Sequence, residues 1–219
     1  MSVVIFDLDG TLVDSIGDIH VAVNRMLTEE GVVPLSMKEV MSFVGNGLPK
    51  LVHRVIEARE MDKTEFQRIH DIVLDLYTNT PISLTKPYPG VIRALDDLQA
   101  QGMRLGVCTN KPHAPAMHIL QALDLQKYFE VIVGGDSLAD RKPHPMPLQH
   151  VVDELGGGDV LYVGDSEVDA DTAVNAGLKF ALFTEGYRKS PIGDIPHQFA
   201  FSDYSTLAQI TRDAFVCTA

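Results

Sequence analysis

From Gly90 onward the chain alternates short apolar runs with amphipathic stretches, and this alternation restricts the fold more than any other feature. A helical pattern near Val91 to Ala100 precedes an apolar run at Arg104 to Cys108. A second helical pattern near Ala114 to Leu123 precedes Val131 to Val133, and a third near Pro145 to Leu155 precedes Val160 to Val163. A fourth, Glu167 to Ala176, is closed by Gly177 and followed by Phe180 to Phe183. Short apolar runs separated by helices of about 10–15 residues predict a parallel sheet covered on both faces. One more such run, Val3 to Leu8, lies far upstream and breaks at Asp9-Gly10-Thr11, as a buried strand entering a loop does. The intervening stretch has a different character. Ile16, Ile19, Val23, Met26 and Leu27 recur at helical spacing up to Gly31, and Ser36 with Glu39 and Asp62 with Glu65 have capping-box spacing. Pro81, Pro87 and Pro89 end the stretch. The expected fold is therefore α/β: a Rossmann-like doubly wound parallel sheet built from residues 1–14 and 81–219, with a small all-helical cap, residues 15–80, inserted after the first strand.

Composition narrows the function. The 219 residues include 18 Lys+Arg and 30 Asp+Glu, a formal charge of −12, with 45% hydrophobic and 22% charged residues. Those proportions are those of a globular protein and argue against disorder. No apolar run approaches the roughly 18 residues of a spanning helix, so no membrane partner is expected. An acidic surface repels a polyanion, so neither is nucleic acid. Val3 to Phe6 is too short for a secretory apolar region, and Cys108 and Cys217 have no metal-ligand spacing, which together predict a cytoplasmic protein. Cys108 reads as a small apolar residue at a strand end.

In open parallel sheets ligands bind beyond the carboxyl ends of the strands. Asp7 and Asp9 follow the first strand, Thr109-Asn110-Lys111 the second, Arg141-Lys142-Pro143 lies beyond the third, and Gly164-Asp165-Ser166-Glu167-Val168-Asp169 follows the fourth. Carboxylates gathered in one crevice repel one another unless a cation shares them. Oxygen ligands without Cys or His suit a hard ion such as Mg²⁺, which commonly also takes a substrate phosphate. The ammonium of Lys142 with donors from Thr109 and Asn110 is a natural receptor for the remaining phosphate oxygens. The set specifies phosphoryl chemistry, in which a carboxylate can itself accept the phosphoryl group.

These segments, Asp7-Leu-Asp9-Gly-Thr-Leu-Val-Asp-Ser15, Cys108-Thr-Asn-Lys-Pro112, Arg141-Lys-Pro-His-Pro145 and Gly164-Asp-Ser-Glu-Val-Asp169, resemble in order the four motifs of the haloacid dehalogenase-like hydrolase superfamily. Phe43-Val-Gly-Asn-Gly47, Pro87-Tyr-Pro-Gly90, Val133-Gly-Gly-Asp-Ser137 and Lys142-Pro-His-Pro145 are similar to its phosphoglycolate phosphatase branch. The resemblance implies an enzyme, a Mg²⁺-dependent phosphomonoesterase that hydrolyses 2-phosphoglycolate through an aspartyl-phosphate. Asp7 would be the nucleophile and Asp9 the general acid and base. Asp7, Asp165 and the backbone carbonyl of Asp9 would hold Mg²⁺, with Asp169 close behind. Thr109, Asn110 and Lys142 would bind the phosphoryl oxygens, and Lys142 counts among the catalytic groups. Asp9 points away from dehalogenases and transport ATPases and toward a phosphatase, with a phosphomutase or a phosphatase of another small ester, phosphosugar or nucleotide, as the alternative. The helical insertion would be the mobile cap that excludes water and reads the leaving group.

Within that cap, Gly45-Asn46-Gly47 is expected to face the crevice, and Arg54, then Lys50, to meet the substrate carboxylate. Asp14 is read as a cap of the first insertion helix. Lys111 and Arg141 are read as solvated charges flanking the crevice, and His113 and His144 as structural or surface residues. A receiver-type signalling switch is the alternative from another class, since it too joins acids, a Thr or Ser and a Lys on a parallel α/β sheet. The residues do not fix the oligomeric state.

Overall fold

A computed structural model describes residues 2–216 of the chain; Cys217 lies outside them. Strand β1 (Ser2–Phe6) stands at the centre of a six-stranded sheet with β4 (Arg104–Cys108), β5 (Val131–Val133), β6 (Asp159–Gly164), β7 (Lys179–Phe183) and β8 (Phe199–Phe201). The order is β5-β4-β1-β6-β7-β8, and every neighbouring pair is parallel. The order of strands therefore reverses at β1, with β4 on one side and β6 on the other, which opens a crevice at their carboxyl ends.

The strands are apolar throughout because both faces are covered. Along β1, Val4 and Phe6 enter one cluster with Leu95 and Leu98 of α5 (Val91–Ala100), Ile119 of α6 (His113–Ala122) and Leu207 of α9 (Leu207–Val216). Val3 and Ile5, on the alternate positions, enter a second with Leu148 and Val151 of α7 (Met146–Glu154) and Ala170 and Ala173 of α8 (Glu167–Ala176). The period of two along a strand is what divides one run between two cores.

Four further helices lie between β1 and α5: α1 (Ile16–Glu29), α2 (Met37–Phe43), α3 (Leu48–Ala58) and α4 (Phe66–Asn79). They close on their own cluster, which includes Val23, Met26, Val52, Ile56, Ile69 and Val73, joined from the sheet side by Tyr187. Ser36 and Glu39 form the expected capping box at the start of α2. Asp62 instead caps a single 3-10 turn, Lys63–Glu65, through the N–H of Thr64, while Glu65 pairs with Arg68 at 2.6 Å.

Two pieces of the fold have no counterpart in the sequence pattern. A two-residue antiparallel pair, β2 (Val13–Asp14) with β3 (Lys86–Pro87), ties the entry of the helical segment to its exit. Asp18, in the first turn of α1, accepts from the N–H groups of Ser83, Leu84 and Thr85 and from the Thr85 hydroxyl at 2.6 Å. The other is the extension of the sheet beyond Phe183 by β8 and α9. No helix among the described residues is long and apolar enough to cross a membrane.

Candidate active site

The fold brings three strand ends and one long loop to the crevice. Asp7 follows β1 directly, and its backbone N–H donates to the Val163 carbonyl on β6 at 2.9 Å, which holds it in the sheet. Thr109 follows β4 and Asp165 follows β6, while Lys142 enters from the loop between β5 and α7. All four are buried.

Lys142 is the hub. Its Nζ lies 2.9 Å from Asp7 Oδ1, 2.6 Å from Asp169 Oδ1 and 2.9 Å from the Tyr162 hydroxyl. Burial opposes its charge, but Asp169 and Asp7 outweigh burial and hold the ammonium above its ordinary range. Asp169 is fully engaged: Oδ1 also accepts from Tyr162 at 2.8 Å, and Oδ2 accepts from the N–H groups of Asp165 and Ser166 and from the Ser166 hydroxyl. Burial would raise the Asp169 carboxyl, yet Lys142 and these donors bring it below the ordinary value. Asp169 thus anchors Lys142 and the start of α8.

Asp7 and Asp165 are in the opposite condition. Burial, only partly offset by Lys142 and reinforced by Asp169, pushes Asp7 up to about 6. Burial and the charges of Asp169 and Asp7 push Asp165 well above the ordinary value. Ligand-type oxygens of Asp7, Asp165 and Asp169 lie within 4.8 Å of one another. Three carboxylates against one ammonium leave two negative charges in a buried space, a deficit that a divalent cation fits and that protons would otherwise meet. Backbone packs closely around this point. A Cβ on Gly10, whose φ is +88°, would collide with Asp165 Oδ2, so only glycine serves both the turn and the contact.

Asp9 faces away from this cluster, toward the helices. Its Oδ1 accepts from Ser15 Oγ at 2.6 Å, and both oxygens lie 3.1 Å from Lys111 Nζ. Lys111 is therefore not a solvated flanking charge: its side chain is 4% exposed, enclosed by Asp9 and by the ring of Tyr77, whose centroid is 5.0 Å from the ammonium. Arg141 is exposed, as expected, as are His113 and His144. Asp14 does serve the start of α1, accepting from Ile16 N–H at 3.4 Å, but its stronger partner is the Tyr187 hydroxyl at 2.7 Å. That hydroxyl accepts in turn from the N–H groups of Ser15 and Ile16, and the Tyr187 N–H donates to Asp165 Oδ2. Tyr187 thus links an acid of the cluster to the entry of the helical segment.

A cavity of about 40 Å³ lies between Asp7, Asp9, Thr109, Asn110 and Lys111 on the sheet side and Gly45, Gly47, Leu48, Leu51 and Tyr77 on the helical side. A second hollow of about 20 Å³ continues past Asn46 to Asp165 and Lys189. Gly47 has φ +82°, and a Cβ there would sit 3.0 Å from the Asn110 carbonyl oxygen, so this glycine allows the loop to touch the strand end. The Asn110 side-chain amide donates to the carbonyls of Lys142 at 3.0 Å and Gly45 at 3.2 Å. Arg54 lines neither cavity. It donates to the Phe43 carbonyl at 2.7 Å and to Asn46 Oδ1 at 2.9 Å, bracing the loop from behind. Lys50 is exposed on α3.

Spacing along the sequence points to the carboxylates, Thr109 and Lys142 but not to Tyr77, Lys111, Tyr162 and Tyr187. Tyr162 sits in an apolar strand and Tyr77 in a helical pattern, where an aromatic reads as core.

The model of the family described as haloacid dehalogenase-like hydrolase matches residues 4–183. The chain belongs to the haloacid dehalogenase-like hydrolase family. That membership removes the receiver-type alternative. Within the family, the chain is 49% identical over 211 residues to a phosphoglycolate phosphatase of Cereibacter sphaeroides, covering 95% of this chain and 97% of that one. It is 42% identical over 210 residues to a phosphoglycolate phosphatase of Rhodobacter capsulatus, covering 95% of each. Among solved structures, a "predicted phosphoglycolate phosphatase" from Haemophilus somnus superimposes with a TM-score of 0.90 at 32% identity, covering 95% of this chain and 97% of that one. These likenesses put the chain on the phosphoglycolate phosphatase branch of the family.

Proposed function

We propose that this phosphoric monoester hydrolase cleaves 2-phosphoglycolate to glycolate and phosphate by way of an aspartyl-phosphate on Asp7, with Mg²⁺ as cofactor. One observation carries the mechanism: a buried carboxylate, Asp7, stands 2.9 Å from a buried ammonium and close to Asp165 and Asp169, three acids that the single ammonium leaves two charges short of neutrality. Asp7, Asp165 and the Asp9 carbonyl would hold Mg²⁺, which when bound neutralises the carboxylates and draws in a phosphate oxygen.

The protein's own groups carry the steps. Lys142, fixed by Asp169 and Tyr162, points an ammonium at the phosphoryl oxygens, with the Thr109 hydroxyl beside it. An oxygen of Asp7 forms a bond to phosphorus as the bond to the ester oxygen breaks. Asp9 gives its proton to that departing oxygen, then takes one from the water that attacks the aspartyl-phosphate, releasing phosphate and restoring Asp7. Helices α1 to α4 serve as a cap that excludes bulk water from the intermediate.

The names of the relatives support the substrate: proteins 49% and 42% identical to this chain over nearly its whole length are phosphoglycolate phosphatases. A panel of small phosphate esters tests the reading: kcat/KM is expected to be highest for 2-phosphoglycolate with Mg²⁺, and Asp7→Asn to lose at least about 1,000-fold in kcat. A preferred phosphosugar or nucleotide would overturn the substrate, and near wild-type turnover by Asp7→Asn would overturn the mechanism.

A further inference from the structure

Two groups in the cavity wall have no part in the steps above. Lys111 reaches the cavity from the segment between β4 and α6, buried against Asp9. Tyr77 reaches it from α4, and its hydroxyl is buried with no hydrogen-bond partner among the described residues. Burial, with the charge of Asp9, keeps that hydroxyl protonated far above neutral pH, so it is a donor without an acceptor. Leaving a buried donor unmet is costly, and the other side chains on the helical side of this wall, Ile19, Val44, Leu48 and Leu51, are apolar.

We propose that Lys111 and Tyr77 form the receptor for a carboxylate on the leaving alcohol, one contributed by the sheet side and one by the helical side. The inference rests on the phosphomonoesterase reading and adds how that site chooses its substrate. The ester oxygen must face Asp9 to receive its proton. Lys111 Nζ is held 3.1 Å from both oxygens of Asp9, so a carboxylate two bonds from the ester oxygen comes within its reach. An ammonium has three donors and serves Asp9 and a ligand together. The Tyr77 hydroxyl gives the second bond. Arg54, the expected partner, has two guanidinium nitrogens engaged with the 43–46 loop. Because Lys111 and Tyr77 come from opposite sides, a bound carboxylate also ties the cap to the core. A neutral alcohol would leave the Tyr77 hydroxyl unmet and offer Lys111 nothing beyond Asp9, and that is how a polar site rejects an analogue lacking the matching group.

The test compares 2-phosphoglycolate with ethyl phosphate, which shares the alkyl ester but lacks the carboxylate, in wild type, Lys111→Met and Tyr77→Phe. Wild type is expected to prefer 2-phosphoglycolate. The ratio of the two kcat/KM values is expected to fall about 10- to 100-fold in Lys111→Met and about 10-fold in Tyr77→Phe, with the Tyr77→Phe loss mainly in KM. Equal losses on both substrates in Lys111→Met would mean that Lys111 acts only through Asp9, and would overturn the receptor. Tyr77→Phe removes a single unbonded oxygen and keeps the test open should Lys111→Met fail to fold; an unchanged ratio there overturns the role of Tyr77. A wild type that prefers a different carboxylated ester retires 2-phosphoglycolate but leaves the receptor standing, read on that ester against its counterpart without the carboxylate. A wild type indifferent to the carboxylate overturns it.

Discussion

In the proposed mechanism Lys142 is a stability element and a catalytic group in one side chain. Among the described residues it is the sole ammonium within bonding distance of Asp7 and Asp169, and all three are buried. Removing one partner of a buried ionic cluster leaves uncompensated charge, which typically costs about 3–5 kcal/mol. Lys142→Met is therefore expected to unfold at lower urea concentration by that order in the absence of metal, and to lose turnover as well. An unaltered urea midpoint would show that the carboxylates simply take up protons. The motif residues are legible in the sequence because carboxylates, a hydroxyl and an ammonium seldom crowd successive ends of buried strands unless a charged ligand joins them. Lys111, Tyr77, Tyr162 and Tyr187 are not, because their partners lie on other elements. Lys111 becomes a buried group only when α4 brings Tyr77 over it, 34 residues away in sequence and on the far side of the crevice.

At the scale of elements, the legible parts are those whose burial is uniform along a run. Strands β1, β4, β6 and β7 are covered on both faces, so each is a continuous apolar segment, and the helices between them carry their own stop signals, such as Gly177 at φ +67° after α8. The pair β2 with β3 has two residues on each side and no pattern to read; its register exists only because the helical segment returns to where it left. Asp62 and Glu65 have the spacing of a capping box, but Arg68 draws Glu65 away, a competition that spacing alone does not reveal. The return of the chain also explains Asp18, whose carboxylate collects three backbone N–H groups and a hydroxyl from residues 83–85. Hydrogen bonds to a charged group each contribute about 1.5–3 kcal/mol, and several share one acceptor here. Asp18→Ala is expected to destabilise the protein by about 2–4 kcal/mol in chemical denaturation. A change below about 0.5 kcal/mol would mean that water replaces the carboxylate at no loss.

For the molecule as a whole, the acidic balance has a structure. The formal charge of −12 divides into −3 on residues 15–80 and −9 on the rest, where Asp7, Asp165 and Asp169 face one another. Metal-free, the raised Asp7 carboxyl favours the folded state when protonated, so its contribution is lost as pH rises from about 4 through about 6. Asp169, held below its ordinary value, acts in the reverse sense only in more acid solution. Mg²⁺ at about 100 times its Kd is expected to raise Tm by roughly 5–10 °C at pH 7. That shift is expected to shrink at pH 5, where protons on Asp7 and Asp165 compete with the metal. A shift that is the same at both pH values would place the ion elsewhere. Covalent transfer to Asp7 is the step on which every other role proposed for the site depends. Mixing the Mg²⁺-loaded enzyme with phosphoryl-labelled 2-phosphoglycolate, quenching in acid within a turnover and mapping the label is its most direct test. Label on Asp7, discharged by hydroxylamine, is the expected result; an unlabelled enzyme during active turnover, or label on any other residue, would contradict it.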